Sequence, residues 1–80
     1  MGMGIRERLL VKLKKRVNIQ RISSERMVNV IDFRTPLGLF LTKEDRHTWV
    51  AVDNSTGDAW TEEFDCKRQA IRWLLGEFEV

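Results

Sequence analysis

Apolar positions along this chain change period several times, and each change marks an element. Ile5, Leu9, Leu10, Leu13 and Val17 recur at helical spacing, so residues 5–17 predict an amphipathic helix with Arg8, Lys12, Lys14 and Lys15 on its polar side. Arg6 and Arg16 fall near the stripe and can snorkel, burying their stems while the guanidinium stays wet. Residues 18–25 have no period, and Ser23 and Ser24 act as breakers, which reads as a connector. Residues 27–33 are rich in β-branched and aromatic side chains and short enough for a strand. Pro36 and Gly38 then frame a turn, Leu39 to Thr42 continues as a second strand, and residues 43–47 form a polar loop tip.

The clearest local pattern spans residues 48–78, a β-hairpin running into an amphipathic helix. Asn54 and Gly57 suit a type I turn closed by a left-handed glycine, the usual three-residue hairpin loop. In that register Asn54 pairs with Asp58 and Val52 with Trp60. Val50, Glu62 and Phe64 then share a face, and Trp49, Ala51, Ala59, Thr61 and Glu63 share the other. Asp65 is placed to cap the helix that follows. Cys66, Ala70, Ile71, Leu74, Leu75 and Phe78 trace its apolar stripe, with Trp73 at the edge, until Gly76 frays or ends it. The stripe covers about half the circumference, so something packs against both flanks.

The elements together predict one α+β domain over residues 1–80, with residues 1–4 disordered. It has an N-terminal amphipathic helix, an antiparallel meander of three to four strands, and a C-terminal helix packed on the sheet. With 42% apolar and 32% charged residues, the chain has barely enough core to fold alone, so a homodimer is a further option. A single cysteine excludes an intrachain disulfide, no run is long enough to span a membrane, and the start lacks an apolar signal core. These features predict a cytoplasmic protein.

The net charge of +2 conceals a sharper division. Residues 1–34 hold nine Lys/Arg and three acids, whereas residues 35–80 hold five and nine. A basic end can meet nucleic acid and an acidic end a basic partner, or the two can neutralise each other.

Candidate chemistry is sparse. Cys66 falls in the first turn of the last helix, where a helix dipole favours thiolate, but its spacing to Ala70 and Leu74 makes it an inward-facing small hydrophobe. His47, the sole histidine, lacks partners for a base or a zinc site. The acid pairs Glu44/Asp45 and Glu62/Glu63 point apart in loop or strand. No enzyme, metal or cofactor is expected. Among the tryptophans, Trp60 belongs to the predicted core and Trp73 to the sheet edge. Trp49 lies over a shallow floor of Ala51 and Ala59, which is either covered by the first helix or a contact surface. The leading expectation is a non-enzymatic module binding another protein through Trp49, Thr61, Glu62 and Glu63. The alternative is nucleic-acid binding through Arg8, Lys12, Lys14 and Lys15.

Phe64, Asp65, Lys67, Ala70, Trp73 and Leu74, following the turn glycine, resemble the three-strands-plus-helix pattern of AP2-like and integrase arm-binding domains over about residues 49–75. That resemblance implies a phage or mobile-element origin and a sheet face that reads DNA. Here Asp53, Asp58, Glu62 and Glu63 make the hairpin acidic where those domains are basic. The element order is also similar to a double-stranded-RNA-binding domain, whose lysine-rich helix start is reduced here to Lys67 and Arg68.

Overall fold

A computed structural model of the chain describes residues 18–80, so the helix expected over residues 5–17 lies outside the described part. The described chain runs β1 (Ile19–Arg21), α1 (Ser24–Phe33), β2 (Gly38–Lys43), β3 (Trp49–Asn54), β4 (Trp60–Phe64) and α2 (Lys67–Leu74). The strands form one sheet in the order β1-β2-β3-β4. β1 lies parallel to β2, and the other neighbours are antiparallel, so the sheet is mixed rather than the expected antiparallel meander.

The largest correction falls on residues 27–33, which are helix and not strand. Ser23, expected to be a breaker in a connector, is the N-cap: it is extended, and its hydroxyl accepts from the Arg26 amide at 3.2 Å. Glu25 adds an acid to the first turn, where the helix dipole favours it. Met27 and Val30 are buried and Ile31 partly so, the i, i+3, i+4 spacing of an apolar helical stripe. Val28 and Phe33, which made the segment read as β, are 54% and 71% exposed. Arg34 ends α1 in the left-handed region (φ 56°), its amide donating to the Val30 carbonyl at 2.8 Å. Residues 18–25 are likewise not a plain connector, since they contain β1 and the start of α1.

A helix covers each sheet face. Met27 and Val30 of α1 pack on Phe40, Val50 and Val52. Ala70 and Leu74 of α2 pack on Leu39, Leu41, Ala51 and Phe64. Successive strand residues therefore feed separate cores, and the centre of the sheet is buried on both sides.

The hairpin forms, but its register is one residue away from expectation. Asp53 pairs with Trp60, Ala51 with Glu62 and Trp49 with Phe64. The cause is the Asn54 side chain, which has no exposed surface: its Oδ1 accepts from the Ala59 amide at 3.0 Å and its Nδ2 donates to the Pro36 carbonyl at 2.9 Å. Asn54 thus closes a five-residue loop with its side chain instead of pairing with Asp58. Ala59 takes positive φ (50°) to reach it. A slip of one residue moves every side chain to the other face. Trp60 leaves the expected core and stands 65% exposed.

α2 begins one residue later than expected. Cys66, not Asp65, is the N-cap, in extended conformation and without a side-chain cap bond. Its thiol is exposed rather than inward-facing. The folded protein should therefore react with a disulfide reagent within about tenfold of the rate in urea, whereas a core thiol would be slowed roughly a thousandfold or more by its need for opening. Timed thiol titration separates the two. Phe64 holds the far side of α2 through Trp73 at 5.8 Å and an edge-on Phe78 at 6.0 Å. Gly76, at φ 76°, follows the helix end as its position in the sequence suggests.

Candidate functional site

Strand alternation and the shifted register decide which candidate residues meet. Trp49 and Glu62 lie on the α2 face of the sheet, while Thr61 and Glu63 lie on the α1 face, so the four residues expected to form one protein-binding surface are divided. The face that carries Trp49 is covered by the last helix, with Ala51 fully buried beneath it. Arg8, Lys12, Lys14 and Lys15 lie outside the described residues.

What surrounds Trp49 is cationic. The Arg21 guanidinium lies 5.1 Å from the ring centroid, Lys43 Nζ at 5.5 Å and Lys67 Nζ at 5.7 Å. The three arrive from β1, the end of β2 and the first position of α2, elements that the topology brings to one end of the sheet. Each cation gains from the indole's negative face, by roughly 0.5–1 kcal/mol where exposed. One hollow opens beside them between β1 and α2, and a second adjoins it along α2. They share Lys67 and Ile71, one extending to Ile19 and Arg21 and the other along α2 to Arg68, Arg72 and Glu77.

The opposite end of the sheet is acidic and apolar. Trp60 faces outward with Asp53 directly across from it and Glu62 two positions along the same face. Loop hydroxyls fix the neighbouring carboxylates. Ser55 donates its amide (3.0 Å) and hydroxyl (2.6 Å) to Asp53 Oδ1, and Thr56 donates its hydroxyl to Asp58 Oδ2 at 2.7 Å. Leu37, 62% exposed, lies against this loop at Gly57.

The loop between β2 and β3 is a local turn. Asp45 Oδ1 accepts from the His47 amide at 2.8 Å, and that bond holds the Asp45 carboxyl below its ordinary range. Among the described residues no group of three or more His, Cys, Asp or Glu converges as for a metal, and no helix is long and apolar enough to cross a membrane.

Arg21 and Lys43 carry no signal in the sequence and Lys67 enters only through the resemblance, and the three, scattered over 47 positions, meet only through the tertiary fold. Trp60 was visible but assigned to the wrong side of a strand. No protein-family model, curated protein or solved structure matches this chain.

Proposed function

We propose that the chain is a non-enzymatic interaction module whose hairpin end binds a basic segment of another protein. One observation carries the reading: Trp60 is 65% exposed on a strand beside Asp53 and Glu62, with Asp58 two residues before it in the loop. Exposed tryptophans on rigid elements are frequent anchors of protein interfaces, because a large apolar area is buried at little cost in conformational entropy. The acidic surroundings select for Lys or Arg beside the group that covers the indole. The surface keeps Glu62 from the sequence expectation and exchanges Trp49 for Trp60.

A basic amphipathic peptide titrated into isotopically labelled protein should shift the Trp60 indole N–H and the amides of residues 59–62 saturably. Trp60→Ala should weaken that binding at least tenfold, about 1.4 kcal/mol. It should change folding stability by less than about 0.5 kcal/mol, since the ring packs on little. Shifts that never saturate, or that survive Trp60→Ala unchanged, would remove the assignment.

A further inference from the structure

The cations round Trp49 form a second surface, distinct from the hairpin end and independent of its reading. We propose that the trough between β1 and α2 holds the phosphodiester backbone of a single-stranded nucleic acid, with Trp49 organising the cations at one end.

Three cations that share one indole stand at most about 11 Å from one another. Like charges at that range repel across solvent, while the ring attracts each of them. Among the described residues Arg72 alone has a carboxylate, Glu77 at 3.3 Å, and no acid pairs with Arg21, Lys43, Lys67 or Arg68. Residues 1–17, which lead directly into β1, carry six Lys/Arg and one acid, the same sign as the trough. The electrostatic complement of this surface is therefore an anion from outside the chain.

The shape favours a polymer over a single small anion. Arg21 and Lys67 line the hollow against β1, and Lys67, Arg68 and Arg72 line the one along α2, where Glu77 offsets Arg72, so several phosphates can be met in succession. The hollow against β1 is lined by the apolar Ile19, Leu41 and Ile71 beside Arg21 and Lys67. A strand with unpaired bases can lay sugars and base faces on such a surface, whereas a duplex keeps its base faces stacked inside.

The test is fluorescence anisotropy of a labelled single-stranded 12-mer with the full chain, over a salt series starting at low ionic strength. Wild-type affinity should fall steeply with salt. Lys67→Gln should weaken binding about fivefold or more and reduce the slope of log K against log salt by about 0.7, one phosphate contact. Arg26→Gln removes the same charge from α1, across the sheet, and should change affinity less than twofold. Equal losses in the two variants would mean attraction to net charge alone and would overturn the trough. So would the absence of binding at low salt, or competition as effective from duplex or from a poly-glutamate peptide. Loss of binding on neutralising Arg8, Lys12, Lys14 and Lys15, with Lys67→Gln unaffected, would instead place the site on the N-terminal segment. Unfolding midpoints of all variants, measured in urea, confirm that folded proteins are being compared.

Discussion

Replacing Phe40 with alanine is expected to remove about 3–5 kcal/mol of folding free energy, the usual cost of emptying a large ring from a packed core. Phe40 has no exposed surface and lies among Met27, Val30, Val50 and Val52, the side chains through which α1 grips the sheet. Its ring also turns back over Gly38, where a Cβ would stand 3.4 Å from the ring tip. Cavities at such sites close poorly, because the strand on one side and the helix on the other are both fixed by their own hydrogen bonds. A chain of this length has roughly 4–12 kcal/mol of stability in total, so this one substitution should leave the domain marginal or unfolded. A urea titration followed by far-UV circular dichroism reads the effect. Phe33→Ala supplies the contrast: that ring is 71% exposed, and its loss should cost under about 0.5 kcal/mol. Similar midpoints for the two variants would show that α1 does not pack on the sheet as described.

Asn54→Asp should cost on the order of 2–4 kcal/mol at neutral pH, although the two side chains are almost the same size. The Asn54 amide donates to Pro36 and accepts from Ala59 in a place with no solvent exposure. A carboxylate there could still accept from Ala59, but it would bring a buried charge against the Pro36 carbonyl, which offers only lone pairs. The sign of the pH dependence follows. Burial disfavours the charged form, so the introduced acid has a raised folded-state pKa, and the variant loses stability relative to wild type as pH rises through the carboxylate range. Lowering the pH protonates the group, restores a donor for Pro36 and should narrow the gap between variant and wild type. Paired urea titrations at several pH values measure it. A gap that stays constant or widens toward acid would mean that Asn54 is not the buried hinge between loop and hairpin.

Several elements were legible because their period was unambiguous. The short apolar run of residues 49–52, bounded by the turn at Asn54 to Gly57, and the stripe of Ala70, Ile71 and Leu74 form the expected strand and helix. α1 was hidden by composition. Its stripe of Met27, Val30 and Ile31 is interleaved with Val28 and Phe33, whose β preference is overridden by the Ser23 cap and by packing on Phe40 and Val50. The register was hidden for a different reason. Turn propensities describe backbone geometry, whereas this loop is closed by the side chain of Asn54. That one displacement carried Trp60 out of the core and separated Thr61 and Glu63 from Trp49. Cys66 was misplaced by a similar margin. The i, i+4 step to Ala70 marks it as inward only if it is helical, and as an extended N-cap it faces solvent. The cluster on Trp49 depends on tertiary pairing throughout, since Arg21 reaches it only through the β1–β2 ladder.

That ladder is also the costliest part of the sheet to assemble. Each of its three pairs, beginning with Ile19 and Leu39, joins positions twenty residues apart, while β3 and β4 meet across a tight loop. Closing the long segment loses chain entropy for a short return in backbone bonds, so β1 is the margin where the sheet opens most readily. Arg21 sits on that margin and also forms one wall of the trough. By thermodynamic linkage, an anion that binds the closed trough holds β1 in place, and opening of β1 releases the anion. On the proposed reading, occupancy and the integrity of the first strand form a single coupled equilibrium.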